Sequence, residues 1–259
     1  MPFQKYALTK ISIATFVGVV ACSSAFAQDV ELSWDSGQAY MPGALLSKSL
    51  KSLTIEKKLP VLIYLHGCTG IHPPHDVAWA KKIAEQGFLV ILPDSMARPN
   101  RRPNCDPRLK GGTNQFPQAY AYRQQEITYA LMQVQKNNWA DNNQVFLMGH
   151  SEGGIATALS EHDGFSARVI SGWTCTAKNN PKFTGIYASK NTPVLAVASL
   201  DDDWRKGKPN EGRCIDSAPD HKITQVDLSG NEHGTYDSQV ARDAVIKFLK
   251  ENLRKSSGS

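Results

Sequence analysis

Hydrophobic positions along the chain fall into two kinds of stretch. The first is short and mostly apolar: the continuous run Pro60-Val61-Leu62-Ile63-Tyr64-Leu65, then Phe88 to Leu92, Gln144 to Met148, Ala167 to Ile170, Pro193 to Ala198 and Ile223 to Leu228. Runs of this length and composition predict strands buried on both faces. The second kind is longer and repeats at helical spacing. Asp76 to Gln86 places Val77, Trp79, Ala80 and Ile83 on one side, with Gly87 as a stop. Gln118 to Asn137 predicts a long amphipathic helix, Ser151 to Glu161 a shorter one, and Ser238 to Leu253 a terminal one with Val240, Ala244, Val245, Phe248 and Leu249 on its apolar side. Strand and helix alternate. Strands apolar on both faces need helices on both, so the expected fold class is α/β, a mostly parallel sheet with helices on its two faces. In such sheets reactive groups gather beyond the carboxyl ends of the strands.

Three strand ends carry candidate chemistry. After Gln144–Met148 comes Gly149-His150-Ser151-Glu152-Gly153 and then an apolar helix. This is G-x-S-x-G in its strand–turn–helix setting, with Ser151 as candidate nucleophile. A serine hydroxyl needs a base, and the base needs an orienting acid; on this motif the chain order is Ser, acid, His. Of seven histidines only His221 and His233 follow both the serine and a plausible acid. His221 precedes the last strand and falls at the wrong end of the sheet; His233 follows it and is the expected base. The acid is expected after Pro193–Ala198, where Asp201, Asp202 and Asp203 stand together; the offset from the strand favours Asp202. The first strand ends in His66-Gly67-Cys68-Thr69-Gly70. The loop after that strand and the residue after the nucleophile supply the oxyanion-hole N–H groups of this motif, here Cys68 and Glu152.

The N-terminus changes the picture of where the chain works. Lys5 and Lys10 precede an apolar run from Ile11 to Ala21, and Ala25-Phe26-Ala27 fits a signal-peptidase site. The expected organisation is a signal peptide over 1–27 and one catalytic domain over 28–259, with a periplasmic or secreted location. A competing reading takes Val19-Val20-Ala21-Cys22 as a lipobox with Cys22 acylated. The run is too short to span a bilayer, and no later one is long enough. Beyond it stand four cysteines, an even number suited to an oxidising compartment. Three pairings exist. Cys68–Cys105 and Cys175–Cys214 are expected because each would join loops at the same end of the sheet. No CxxC spacing points to zinc, and no metal or organic cofactor is expected. With 29 basic against 24 acidic residues, two of the basic ones in the leader, the charge balance gives no case for a nucleic-acid partner.

From Pro60 to Leu253 the chain resembles an alpha/beta-hydrolase. Its pattern is similar to the dienelactone hydrolase-like and poly(hydroxybutyrate) depolymerase-like esterases. The likeness rests on Leu65-His66-Gly67-Cys68-Thr69-Gly70, Gly149-His150-Ser151-Glu152-Gly153, the aspartates at 201–203 and Asn231-Glu232-His233-Gly234. Dienelactone hydrolases proper carry a cysteine nucleophile where this chain has Ser151, so the resemblance implies hydrolysis of ordinary carboxylic esters through an acyl-enzyme. A serine peptidase or other acyl transferase of the same fold, and a catalytically silent binding protein, are the competing readings. Many relatives insert a lid; here Trp173 to Thr192 is too short for a cap domain, so an open, shallow site is expected. Ser95 to Pro117, with Arg98, Arg101, Arg102, Arg108 and Lys110, reads as a solvated loop pinned by Cys105. His72-Pro73-Pro74-His75 reads as a rim loop, and Trp173 and Trp204 as substrate walls or core.

Overall fold

The computed structural model describes residues 29–254, except 107, 109–110 and 113–115. The expected leader, its cleavage site and Cys22 lie outside the described residues. Eight strands form one sheet in the order β10-β9-β8-β7-β3-β4-β1-β2. The first six in that order are parallel: β10 Ile223–Leu228, β9 Val194–Ser199, β8 Ala167–Ser171, β7 Ala140–His150, β3 Leu59–Leu65 and β4 Leu89–Leu92. At one edge β1 Gln38–Tyr40 and β2 Lys48–Ser49 run antiparallel. A second, two-stranded ribbon pairs β5 Cys105–Asp106 with β6 Gly111–Gly112.

Side-chain alternation splits each central strand between two cores. On β3, Leu62 and Tyr64 face one way and pack with Trp79 and Ile83 of α2 (Ala78–Ala84) and Val245 and Leu249 of α6 (Gln239–Glu251). Val61, Ile63 and Leu65 face the other way, toward Ile127, Ala130 and Val134 of α3 (Phe116–Lys136), Ala156 of α4 (Glu152–Ala158) and Trp34 of the helical segment 29–35, which is α1. Val61 through Leu65 are wholly buried. Each such aliphatic side chain contributes about 1.5–3 kcal/mol relative to exposure. The sheet is therefore a rigid floor, and the loops that leave its carboxyl edge start from fixed positions. The protein has the α/β-hydrolase fold. Between β8 and β9 the chain makes only one short 3-10 turn, Pro181–Phe183, and the described residues contain no cap domain.

Two expectations about elements are corrected. The helix expected over Asp76–Gln86 begins as a π-helical turn, Pro73–Val77, before α2. Pro73 and Pro74 have no N–H to give; instead Asp76 accepts the His72 N–H at 2.8 Å, and the His72 carbonyl accepts from His75 and Asp76. The edge strands β1 and β2 were not expected. They are two or three residues long, too short for a period to register.

Candidate active site

Ser151 sits between β7 and α4 with φ 56° and ψ −116°. A non-glycine residue holds such a conformation only where its surroundings impose it, at a cost of about 1–3 kcal/mol. The two flanking glycines impose it. A Cβ on Gly149 would lie 2.1 Å from the Gly153 carbonyl oxygen, and one on Gly153 would lie 2.2 Å from that of Leu65. The Ser151 N–H donates to the Ser171 carbonyl at 2.9 Å, and its own carbonyl accepts from Ile155 at 2.9 Å. The turn is thus locked from both sides, and Ser151 faces a cavity.

His233 and Asp202 meet at the same cavity. His233 Nδ1 donates to Asp202 Oδ2 at 2.7 Å, while its Nε2 is buried without a hydrogen-bond partner among the described residues. Asp202 is 1% exposed; Asp201 and Asp203 are exposed, and Asp201 pairs with Lys206 at 2.8 Å. Only the middle aspartate points inward because the turn winds around it: the Trp204 N–H donates to its Oδ1, and its carbonyl accepts from Arg205 and Lys206. Burial pushes the Asp202 carboxyl up. The hydrogen bond and charge of His233, the Trp204 N–H and the Arg205 charge outweigh burial and hold it below the ordinary carboxylate value. The His233 loop is tied to β9, where the Ser199 hydroxyl donates to the Glu232 carbonyl at 2.6 Å.

Behind His233 stand two more histidines. The His150 ring lies 4.9 Å from that of His233 and 3.9 Å from that of His75, centroid to centroid. His75 is not a rim residue: it is buried, its Nε2 accepts the Thr235 N–H at 3.1 Å, and its Nδ1 donates to Asp76 at 3.0 Å. Burial, and then the charges of His75, His233 and His72, hold the His150 pKa well below its ordinary value, so the ring behind His233 is neutral. His221 lies at the start of β10 against the Ala188 carbonyl, away from this cluster.

The cavity is about 690 Å³, and Ser151, Asp202, His233, Cys68 and Glu152 all line it. Phe116, Ile155, Trp173 and Trp204 supply apolar wall; Asn104, Asn180 and Asn210 are among its polar members. The bridges Cys68–Cys105 and Cys175–Cys214 tie loops at this end of the sheet. No group of three or more His, Cys, Asp or Glu among the described residues is arranged to hold a metal ion.

Beneath the cavity lies a buried ionic network that sequence reasoning missed. The segment from Ser95 is not a solvated arginine loop. Arg98 is 2% exposed and pairs with Asp29, and Arg101 is 8% exposed and pairs with Glu152; Arg102 and Arg108 are exposed, and Lys110 lies outside the described residues. Arg123, in α3, donates from Nε to Glu152 Oε1 at 2.9 Å and from Nη1 to Glu126 at 3.3 Å. Glu152 Oε2 has no partner among the described residues. A signal for this network existed. Arg123 and Glu126 fall at three- and four-residue spacing with Ala119, Ile127 and Ala130, on the face that α3 buries.

Comparison with known proteins places the fold and the family. No curated protein matches the sequence. Among solved structures, Est1E from Butyrivibrio proteoclasticus, with ferulic acid bound, is 18% identical, with a TM-score of 0.57 over 85% of this chain and 95% of that one. A "Putative Dienelactone Hydrolase" from Klebsiella pneumoniae is 14% identical, TM-score 0.55, over 78% and 90%. An acylaminoacyl peptidase from Pyrococcus horikoshii is 14% identical, TM-score 0.54, over 86% of this chain but 40% of that one. At these identities the likeness is one of fold. The model of the Esterase family, described as "Putative esterase", matches residues 48–224, more than half of the chain. On that match the chain belongs to the Esterase family, built on the α/β-hydrolase fold.

Proposed function

We propose that this esterase-family hydrolase is an exported serine enzyme that cleaves carboxylic esters through an acyl-enzyme, with Ser151, His233 and Asp202 as its triad. One observation carries the reading. A strained serine and the unpartnered, buried Nε2 of an aspartate-bound histidine line one cavity. Because Asp202 accepts from Nδ1, the lone pair of neutral His233 sits on Nε2 and is free to take a proton. His233 removes the Ser151 hydroxyl proton as Oγ attacks the ester carbonyl. The tetrahedral oxyanion accepts from the Cys68 and Glu152 N–H groups, neither of which has a protein acceptor among the described residues. His233 then protonates the departing alcohol, takes a proton from water as the water oxygen attacks the acyl carbon, and returns that proton to Ser151 Oγ as the acid leaves. No step calls on a metal or organic cofactor.

Export is supported by the two bridges, which suit an oxidising compartment, and by the leader read from the sequence. No helix among the described residues is long and apolar enough to cross a membrane. The test is Ser151→Ala with p-nitrophenyl butyrate. Hydrolysis and labelling by a fluorophosphonate are expected to disappear while the thermal transition is kept; retained turnover refutes the assignment. Faster cleavage of acylated peptides than of esters by the wild type would favour the peptidase reading. Absence of labelling in the wild type would favour a silent binding protein.

A further inference from the structure

The buried arginine of α3 reaches the segments of both oxyanion donors from behind. Arg123 Nη2 donates to the Gly67 carbonyl at 3.1 Å and to the His66 carbonyl at 2.8 Å, while its Nε holds the Glu152 carboxylate at 2.9 Å. The Gly67 carbonyl and the Cys68 N–H belong to one peptide group. Among the described residues no peptide bond is cis, so the two point in opposite directions. A donor that draws the carbonyl toward α3 turns the Cys68 N–H toward the cavity. This peptide also stands beside the nucleophile: a Cβ on Gly67 would lie 3.7 Å from the Ser151 Cβ.

We propose that Arg123 is a positioning residue for transition-state stabilisation, its planar guanidinium setting the Cys68 and Glu152 N–H groups together. This rests on the reading of Ser151 as nucleophile and of those two N–H groups as oxyanion donors. A lysine cannot substitute. Its single ammonium does not span two carbonyls on one side and a carboxylate on the other as the rigid fork does. The network is also a poor source of stability, since buried ion pairs are commonly no better than apolar packing. Arg123, Glu126 and Glu152 are nonetheless buried together, directly beneath the reactive loop. Geometry, not stability, is what they supply there.

The test compares an ester with its thionoester, whose sulfur is a poor acceptor and so gains little from the oxyanion hole. For Arg123→Lys we expect kcat on the ester to fall by on the order of 10²-fold, as for loss of one oxyanion donor. The ratio of ester to thionoester kcat/KM is expected to fall at least about tenfold, with KM little changed. A purely structural role lowers both substrates alike and leaves the ratio unmoved, which overturns the proposal. Should Arg123→Lys fail to fold, Arg123→Met with Glu126→Gln removes one charge of each sign together, and the same ratio decides. If neither variant folds, Arg123 is a stability residue and the proposal fails. Ser151→Ala, assayed in parallel, separates the two levels. Activity without Ser151 defeats the underlying mechanism, whereas a dead Ser151→Ala beside an unmoved ratio defeats only the role of Arg123.

Discussion

The Asp202 carboxylate is the residue whose environment speaks most directly to its work. It is buried, yet its proton affinity is lowered, because His233, the Trp204 N–H and Arg205 all favour the charged form. The consequence for stability has a definite sign. Unfolded, the carboxyl binds its proton near its ordinary value of 3.8; folded, it does so at lower pH. Its stabilisation is therefore complete above that value and is lost as pH falls through the folded pKa. Asp202→Asn removes this acid-limb dependence, so urea unfolding of the variant between about pH 2 and 7 should show a shallower loss toward acid than the wild type. The same substitution abolishes the carboxylate that fixes the Nδ1 tautomer of His233, and kcat should fall on the order of 10³–10⁴-fold. A variant with wild-type kcat would show that one of the exposed neighbours, Asp201 or Asp203, does the work instead.

At the scale of elements, the far end of α4 is anchored by a buried arginine. Arg168 on β8 is 1% exposed and donates to the carbonyls of Thr157, Ser160 and His162 at 3.0, 2.5 and 2.5 Å. Burial pulls its pKa down to about 10, with Asp163 opposing, so it remains charged at neutral pH. Arg168→Met leaves these carbonyls without their donor and should cost about 3 kcal/mol in denaturant unfolding, while the folded fraction keeps its turnover. A loss below about 0.5 kcal/mol would mean that water replaces the guanidinium. Arg168 also marks where sequence reading stops. The central strands were legible because they are apolar on both faces, and the serine turn because its glycines are sterically required. The acid was narrowed to three adjacent aspartates, and only the winding of the turn separates them. Arg98, Arg101 and Arg168 were not legible as buried: a charge reads as solvent-facing unless its partner is known, and Asp29 and Glu152 come from distant segments, while Arg168 is held by carbonyls that no side-chain pattern marks. The short edge strands escaped for the opposite reason, being too brief to carry a pattern.

For the molecule as a whole, rigidity is divided between a sheet that packs itself and a rim that needs covalent help. The strands are sealed by apolar contacts on both faces, whereas the segments around the cavity contain few elements of their own. The two bridges fall on that rim, with Cα separations of 5.8 Å for Cys68–Cys105 and 4.7 Å for Cys175–Cys214. They span similar sequence separations, 37 and 39 residues, so chain entropy assigns each roughly 4 kcal/mol. Replacing either pair by serines should then lower Tm by a similar amount, on the order of 8–16 °C. Their effects on catalysis should differ. Cys68 lies in the loop that Arg123 holds, and its partner's loop returns a hydrogen bond, Asn104 N–H to the Cys68 carbonyl at 3.1 Å. Loss of this bridge should lower kcat. Cys175 and Cys214 instead brace the wall that carries Thr174, Asn180 and Asn210, so their loss should raise KM with kcat largely kept. Steady-state kinetics on the two double-serine variants, below their melting temperatures, would separate the cases. Equal effects on kcat and KM in both would mean that the bridges only hold the fold together, and that the loop geometry around Cys68 survives without its covalent tie.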